Sequence, residues 1–291
     1  AKIGLVELPL ALMNPGDLLL LPDPGYPDYL SGVSLGRVAY ETFPLTAEND
    51  FLPDLDAIPE ETARRAKFIY INYPNNPTGA VATKAFYEKL VAWAKTYEVG
   101  VVSDLAYGAL GYQGYENPSF LSTPGAKDVG IEFYTFSKTF NMAGWRLAFA
   151  AGNDQMIEAL NLIQDHLFVG IFPALQEAGI AALLDPKSEE AVAQLNATYD
   201  SRRDAFVQAA AKIGWQAFPS RGSFYAWMPV PEGYTSESFA DLLLEKVHVA
   251  VAPGKGFGPA GDAYVRIGLL VEPERLVEAV DRIANLHLFN N

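Results

Sequence analysis

The stretch Glu132 to Gly152 reads EFYTFSKTFNMAGWRLAFAAG and predicts a buried strand followed directly by a lysine. Aromatic and β-branched residues from Glu132 to Phe136 predict the strand, and Ser137 and Lys138 come next. In open α/β sheets, ligands bind in the crevice outside the carboxyl ends of the strands. A lysine that is partly desolvated there has a lowered pKa and can form a Schiff base with a carbonyl. On this stretch alone, an ordinary loop lysine with its amine in water is an equally good interpretation.

Strands and helices alternate on both sides of this stretch. Residues 67–72 and 99–103 are predicted as strands, and residues 84–97 repeat apolar side chains at the spacing of a helix packed on a sheet. The alternation indicates an α/β fold, in which a mostly parallel sheet carries helices on both faces. The other elements predicted up to residue 213 are strands at 17–21 and 36–43, an apolar run at 147–151, a short helix within 52–66 with Pro59 in its first turn, and helices at 4–12, 154–167, 173–184 and 188–213, the last with Ser188 as its N-cap.

Beyond Gly214 the pattern changes to short strands interleaved with helices. The strands are predicted at 222–228, 247–252 and 263–269, and the helices at 236–246 and 274–286. This pattern indicates a smaller α+β unit. We therefore expect a large domain at residues 1–185 and a small C-terminal domain at residues 186–291.

The N-terminus, AKIGLVELPLALMNPGD, has neither the charged start nor the cleavage site of a signal peptide. It has the pattern of an amphipathic helix that is entered in its middle, without a cap. We therefore expect the chain to be a fragment, or to have lost its first part, so that the large domain is incomplete at its N-terminus.

Composition argues against several classes of protein. The 291 residues are 50% hydrophobic, enough for a large core, and no apolar run reaches the roughly eighteen residues of a membrane span. A formal charge of −14 argues against a nucleic-acid partner. The absence of cysteine excludes disulfide and thiolate chemistry and fits a cytoplasmic enzyme. The three histidines lie far apart, so no metal site is expected.

Three predicted strand ends carry chemically useful side chains: Asn76, Asp104 and Lys138. Each has an ordinary explanation by itself, since Asn76 could serve the turn before Pro77 and Asp104 could cap the segment after its strand. Loops at the carboxyl ends of a parallel sheet lie side by side, so these residues can share one crevice. Their coincidence favours a common site.

Pyridoxal phosphate is the ligand that this set of side chains suits. Its aldehyde would form a Schiff base with Lys138, and a carboxylate, here Asp104, would keep the ring nitrogen protonated so that the ring can act as an electron sink. Asn76 and Tyr107 could donate hydrogen bonds to the phenolate oxygen. Tyr26 could stack on the ring.

The phosphate group of such a cofactor needs hydroxyl donors and a cation. Thr135, Ser137 and Arg146 surround the lysine in sequence. The guanidinium of Arg146 would make a bidentate, charge-assisted contact that a lysine could not reproduce.

Four segments of the chain resemble the signature segments of the class I/II (fold-type I) pyridoxal-phosphate-dependent aminotransferases. They are DPGYP at 23–27, YPNNPTG at 73–79, SDLAY at 103–107 and FSKTFNMAGWR at 136–146. They occur in the family's order with compatible spacing, and the resemblance covers essentially the whole chain. It implies the cofactor roles given above for each of these residues, with Lys138, Asp104 and Tyr107 as the catalytic residues, and it implies a homodimer with sites near the interface.

The resemblance also implies residues that bind the substrate. Arg266, between apolar neighbours in AYVRIGL, matches the arginine that grips the substrate α-carboxylate, although a salt bridge at the domain interface would also explain it. Asn76 lies at the same site, and GSFYAW at 222–227 matches a segment that lines the entrance. Ala1 and Lys2 are what remains of the family's phosphate loop, where their backbone N–H groups could face the phosphate.

The expected function is transfer of an amino group between an L-amino acid and a 2-oxo acid, through a pyridoxal-phosphate Schiff base on Lys138. A carbon–sulfur β-elimination lyase, a decarboxylase and a non-catalytic effector-sensing domain on the same fold are the alternatives. Some dicarboxylate-specific relatives have a second arginine in the stretch that here reads LFVGIFPAL, which has none, so aspartate specificity is not expected. The glycine pattern at 254–258 does not open a long helix after a strand, so it is predicted as a loop and not as a dinucleotide motif.

Overall fold

The computed structural model of the chain describes residues 1–289. The strands are β1 (Leu18–Asp23), β2 (Ala39–Pro44), β3 (Ala66–Asn72), β4 (Gly100–Asp104), β5 (Gly130–Thr135), β6 (Ala148–Gly152), β7 (Tyr225–Pro229), β8 (Ala252–Pro253) and β9 (Tyr264–Gly268). The α-helices are α1 (Lys2–Leu12), α2 (Tyr29–Gly36), α3 (Glu60–Arg65), α4 (Lys84–Tyr97), α5 (Ala126–Val129), α6 (Phe136–Thr139), α7 (Asp154–Leu167), α8 (Pro173–Leu184), α9 (Ser188–Lys212), α10 (Ser236–Val247) and α11 (Pro273–Ala284).

The main sheet has the strand order β2-β1-β3-β4-β5-β6. Neighbouring strands are parallel except for β5 and β6, which are antiparallel. Along β1, Leu18 and Leu20 pack into one hydrophobic core, whereas Leu19 and Leu21 pack into another. A strand that is buried on both faces needs such a continuous apolar run, because successive side chains point to opposite faces. The predicted mostly parallel sheet is confirmed.

Helices cover both faces of the sheet. One core contains Leu8 of α1, Val33 of α2 and Leu160 of α7, and the other contains Ala63 of α3 and Leu90 of α4. Full burial of a leucine such as Leu8 contributes roughly 1.5–3 kcal/mol. These helices therefore cover both faces of the sheet and leave the carboxyl ends of its strands uncovered.

Helix α4 shows how sequence sets a helix in this layer. The Thr83 side chain accepts a hydrogen bond of 3.1 Å from the backbone N–H of Phe86, which caps the first turn. The buried face carries Phe86, Leu90 and Ala94 at helical spacing. The helix ends where Glu98 adopts a left-handed conformation, with φ of 57°.

A separate, smaller sheet follows in the C-terminal part. Its strand order is β7-β9-β8, with antiparallel neighbours. Phe206 of α9, Phe239 of α10 and Leu276 of α11 pack on it in a core of its own. The smaller α+β unit is therefore present, while a division of the chain at residue 185 stays a prediction.

Two predicted boundaries in the C-terminal part are wrong. The strand predicted at 247–252 is reduced to β8, because α10 continues to Val247 and His248 then turns the chain with a φ of 56°. Ser188 is not the N-cap of α9. Lys187 holds that position, and the Ser188 hydroxyl instead donates to the backbone oxygen of Ala182 at 2.7 Å.

The N-terminal part contains one smaller difference. The short helix predicted within 52–66 is α3 alone, preceded by a 3₁₀ turn at Leu55–Ala57, with Pro59 at the N-cap position of α3. Lys138 lies in the single turn of α6 and not in an open loop.

Residues 254–258 open no α-helix, since they form a 3₁₀ turn at Gly254–Phe257 that ends at Gly258.

Across residues 1–289, no helix combines the length and the apolar character needed to cross a bilayer. In the same part of the chain, no group of three or more histidine, aspartate or glutamate side chains is arranged to hold a metal ion.

Candidate active site

The carboxyl ends of β3, β4 and β5 open into a cavity of about 360 Å³. The cavity brings together every residue that the sequence predicted for the site. They are Lys2, Tyr26, Asn76, Asp104, Tyr107, Thr135, Ser137, Lys138, Arg146 and Arg266. Asp104 and Thr135 end strands of the main sheet, and most of the others lie in loops and helix turns beside it. Arg266 comes from β9 of the small sheet, so both sheets contribute to the cavity.

Asp104 is the last residue of β4, and its side chain is 5% exposed. Its Oδ2 accepts a hydrogen bond of 3.0 Å from the Tyr29 hydroxyl, whereas its buried Oδ1 has no partner among the described residues. Burial raises the pKa of Asp104 from 3.8 to about 6. The Asn72 amide holds the strand end by donating to the backbone oxygen of Asp104 at 2.7 Å. The carboxylate is thus fixed in place with one oxygen left open.

Lys138 follows β5 in the turn of α6, which begins where the Thr135 side chain accepts from the backbone N–H of Ser137. Its Nζ lies 5.2 Å from the ring centroid of Phe224 and 5.9 Å from that of Tyr107. Burial lowers the pKa of Lys138, and the neighbouring cations act in the same direction. A larger share of the amine is therefore unprotonated than in an exposed lysine, as a nucleophilic amine requires.

Hydroxyl and guanidinium donors surround this turn. The Thr135 hydroxyl donates to Ser137 Oγ at 3.0 Å. Arg146 stands in a left-handed conformation with φ of 56°, and its Nη1 donates to the backbone oxygen of Ala143 at 2.7 Å. Two hydroxyls and a guanidinium at one wall of the cavity form a donor set that suits a phosphate or another anion.

Arg266 reaches the cavity from β9 and contacts two other side chains of the site. Its Nη1 donates to Asn76 Oδ1 at 2.6 Å, and its Cζ lies 4.1 Å from the ring centroid of Tyr225. The backbone N–H of Asn76 in turn donates to Asn72 Oδ1 at 2.8 Å. An amide does not neutralise a guanidinium, so the contact with Asn76 orients Arg266 and leaves its charge available to a carboxylate.

Lys2 and Tyr26 line the other side of the cavity. The ammonium of Lys2 pairs with Asp28 Oδ2 at 2.6 Å, so its charge is engaged by this partner at the cavity wall. The Tyr26 ring stands edge-on to Tyr29, with centroids 5.5 Å apart and an interplanar angle of 84°. Tyr29 therefore contacts both the Tyr26 ring and the Asp104 carboxylate.

Sequence reasoning missed Tyr29, Asn72 and Asp28. Asn72 had a readable signal, because a polar residue ends the otherwise apolar strand of KFIYIN. Tyr29 and Asp28 had none, since the proline-rich turn before α2 shows no periodicity that would turn them toward the site. Tyr225 belongs to the GSFYAW segment that was expected to line the entrance, and it lines the cavity.

A desolvated lysine at a strand end of a mostly parallel sheet is the arrangement expected of an enzyme that works through a lysine amine. The family model for aminotransferase class I and II matches residues 2–283, and the chain belongs to this family. Class I and II aminotransferases depend on pyridoxal phosphate and move an amino group between an amino acid and a 2-oxo acid. The chain is an aminotransferase.

Relatives agree with this assignment over nearly the whole chain. L-glutamine–4-(methylsulfanyl)-2-oxobutanoate aminotransferase of Bacillus subtilis is 57% identical over 288 residues, which are 99% of this chain and 72% of the relative. LL-diaminopimelate aminotransferase of Moorella thermoacetica is 48% identical over 283 residues, which are 97% of this chain and 72% of the relative. These names give no support to the carbon–sulfur lyase, the decarboxylase or the non-catalytic sensing domain.

Solved structures lead to the same family. The substrate-bound structure of BacF from Bacillus subtilis superposes with a TM-score of 0.94 at 46% identity, and the match covers 99% of this chain and 73% of that chain. An aminotransferase from Staphylococcus aureus superposes with a TM-score of 0.95 at 41% identity, over 99% of this chain and 76% of that chain. The predicted fold class and family are confirmed.

Proposed function

We propose that pyridoxal phosphate is the cofactor of this chain and that Lys138 holds it covalently. The observation that carries the proposal is the open Oδ1 of Asp104, a buried oxygen for which residues 1–289 provide no hydrogen-bond donor. Such an oxygen is destabilising unless a partner arrives. The protonated ring nitrogen of the cofactor is a donor of the right kind, because its positive charge also stabilises the carboxylate.

The remaining predicted residues complete the fit. Asn76 and Tyr107 would donate to the phenolate oxygen, since the Asn76 carbonyl oxygen is engaged by Arg266 and its amide N–H groups remain free to donate. Tyr26 would pack on the ring. The phosphate would be held by three donors at and after the end of β5, namely Thr135, Ser137 and Arg146. The backbone of Lys2 would lie beside it.

When bound, pyridoxal phosphate supplies the electron sink that stabilises negative charge on the substrate α-carbon. The chain supplies position and proton transfer. Arg266 would hold the α-carboxylate through its guanidinium fork. The amine of Lys138, with its lowered pKa, would remove the proton from the α-carbon of the amino donor. In the reverse half-reaction, it would deliver a proton to the α-carbon of the new amino acid. Asp104 would keep the ring nitrogen protonated.

We further propose an L-amino acid donor and a 2-oxo acid acceptor, with 4-(methylsulfanyl)-2-oxobutanoate as the first acceptor to test. Support comes from the 57% identity to the Bacillus subtilis enzyme that is named for this compound. The basic side chains of the cavity lining are Lys2, Lys138, Arg146 and Arg266. Lys2 is paired with Asp28, and the other three have proposed roles toward the cofactor or the α-carboxylate. No basic side chain of this lining is then left to bind a charged substrate side chain, which supports an uncharged one.

A homodimer is proposed as well. Several large apolar side chains near the start and end of α8 are strongly exposed: Val169 at 87%, Phe172 at 70% and Leu184 at 76%. Large apolar side chains that are exposed beside and along one helix support a protein interface at that helix. The division of the chain at residues 185 and 186, and a cytoplasmic location, stay predictions.

Replacement of Lys138 by alanine tests the proposal. We expect Lys138→Ala to lose the visible absorbance of covalently held cofactor and to lower transamination by at least roughly 10²–10⁴-fold, the contribution of a positioned general acid–base. Spectra after gel filtration and a donor–acceptor assay measure both effects. Lys84→Ala, at an exposed position of α4, is the matched control. A Lys138→Ala protein that kept the native rate and spectrum would disprove the assignment.

A further inference from the structure

The glycine-rich loop Gly254–Gly258 has no role in the function proposed so far. It belongs to the small unit, yet it contacts the end of β1 in the main sheet. The backbone N–H of Gly25 donates to the oxygen of Phe257 at 2.8 Å. The backbone N–H of Ala260, just beyond the loop, donates to Asp23 Oδ1 at 3.0 Å. The loop is therefore attached at two points to the turn that carries Tyr26.

Gly258 shows how closely the loop and this turn approach. Its φ is +131°, and a Cβ atom at this position would lie 2.2 Å from Asp23 Oδ1. Only glycine combines that backbone conformation with so short an approach. Asp23 is itself buried, so its carboxylate depends on hydrogen bonds such as the one from the Ala260 backbone N–H.

Phe257 is the side chain through which the anchored loop contacts Arg266. Its ring centroid lies 4.6 Å from Cζ of Arg266, and the ring of Tyr225 lies 4.1 Å from the same atom. Trp227 packs against Phe257 in an edge contact, at a centroid distance of 6.1 Å and an angle of 83°. Arg266 thus touches two aromatic rings and the Asn76 amide at once.

These contacts limit the freedom of a long side chain. An arginine that is held before the ligand arrives loses less conformational entropy on binding, which increases affinity. A fixed guanidinium plane also selects a planar, bidentate partner such as a carboxylate.

We propose that Phe257 is a positioning residue for the substrate α-carboxylate, and that the contacts of Asp23 and Gly25 with the loop keep it in place. The inference rests on the proposed role of Arg266 and deepens it. One turn, Asp23 to Tyr26, then serves both halves of the site. Tyr26 faces the cofactor, and Asp23 and Gly25 secure the carboxylate grip through the loop.

The test measures binding of a carboxylate that cannot react. The probe is 4-(methylsulfanyl)butanoate, titrated by calorimetry into the full chain loaded with pyridoxal phosphate. We expect Phe257→Leu to weaken binding by about tenfold, the effect of one lost cation–π contact in a partly desolvated site. Phe257→Tyr keeps the ring and should stay within about twofold of the wild type. In transamination, KM should rise with little change in kcat.

A second variant reaches the same contact without changing Phe257. Gly258→Ala would separate the loop from Asp23 and should weaken the probe in the same direction. Gly256→Ala is its matched control, because a Cβ atom at Gly256 meets nothing within 4 Å. Phe218→Leu is the second control. It removes an aromatic contact with Phe51, at 4.7 Å between centroids, that does not involve Arg266.

Selective weakening in Phe257→Leu and Gly258→Ala, with unchanged cofactor affinity, supports the proposal. Equal probe binding in all variants overturns it, and so does a loss in Phe257→Leu that Phe257→Tyr fails to restore. The proposed function fails separately. A wild-type chain that binds the probe but transfers no amino group would refute the proposed function and leave the positioning role intact.

Discussion

Asp104 and Glu132 are buried carboxylates on neighbouring strands, yet their surroundings differ. Glu132, 6% exposed, accepts hydrogen bonds from Ser103 Oγ at 2.9 Å, Ser119 Oγ at 2.5 Å and the Phe120 backbone N–H at 2.9 Å. Asp104, 5% exposed, accepts a side-chain hydrogen bond at 3.0 Å from Tyr29, and its Oδ1 has no partner within residues 1–289.

The pleat of the sheet separates these two environments. Ser103 pairs with Glu132 across β4 and β5, and Asp104 is the next residue along β4. Because successive side chains point to opposite faces, Asp104 turns toward the layer of α1 and α2 and the cavity, and Glu132 turns toward the opposite layer. The difference teaches that burial alone does not mark a functional acid. An unfilled hydrogen-bonding position beside a cavity does.

The largest expected effect of this difference is on activity. We expect Asp104→Asn to lower kcat/KM for transamination by at least about 10²-fold, because a neutral amide cannot stabilise a protonated ring nitrogen. Glu132→Gln, the same change at an equally buried position, should stay within about threefold, since it lies on the other face. Steady-state kinetics at saturating cofactor measure both. Equal losses in the two variants would show that burial, and not the open oxygen, sets the effect.

In the cofactor-free protein, Asp104→Asn, the less active variant, should be more stable than Glu132→Gln. Burial raises the pKa of Asp104 to about 6 from 3.8, so the folded protein loses stability as pH rises between these values, by about 3 kcal/mol at most. Asp104→Asn should therefore be more stable than wild type at pH 8 and no different near pH 3. Glu132→Gln should be less stable by about 1–3 kcal/mol, because the amide cannot accept all three hydrogen bonds. Urea unfolding at both pH values measures the contrast, and a destabilised Asp104→Asn at pH 8 would contradict it.

The sequence predicted much of this arrangement, for identifiable reasons. Apolar runs such as 67–72 and helical spacing in 84–97 depend on local periodicity, so the main sheet and its helices were predictable. Asp104 and Lys138 were predictable because each ends a strand, and strand ends of a parallel sheet converge. Arg266 needed the family resemblance, because it comes from a different sheet.

What the sequence could not supply depends on contacts between distant segments. Nothing local shows that Tyr29 donates to a residue 75 positions later, or that Phe257 packs on Arg266. The strand predicted at 247–252 was wrong for a related reason. Its β-branched valines favour a strand locally, but α10 extends through Val247, and His248 takes a left-handed turn that redirects the chain. Glu132 was predicted as part of a strand, and its three donors were not foreseeable.

The smallest expected effect belongs to the replacement of Tyr29. Its hydroxyl donates a hydrogen bond to Asp104 Oδ2. Tyr29→Phe removes the donor and leaves the ring in its edge-on contacts with Tyr26 and Tyr70. Burial raises the pKa of Asp104 and the Tyr29 hydroxyl opposes that rise. Without the hydroxyl, the pKa should rise further.

The pH dependence of stability reports this change directly. As pH rises, the wild type stops losing stability near pH 6, the folded-state pKa of Asp104. With a higher folded-state pKa, the cofactor-free Tyr29→Phe protein should continue to lose stability above that pH. Transamination should fall by about tenfold, the lower end of the value of about 1.5–3 kcal/mol for one hydrogen bond to a charged group. Tyr70→Phe is the matched control, because the Tyr70 hydroxyl donates to the backbone oxygen of Leu5 at 3.0 Å and not to a carboxylate. If the two variants shifted the pH profile equally, Tyr29 would act as packing alone, and Asp104 would depend on the strand end for its orientation.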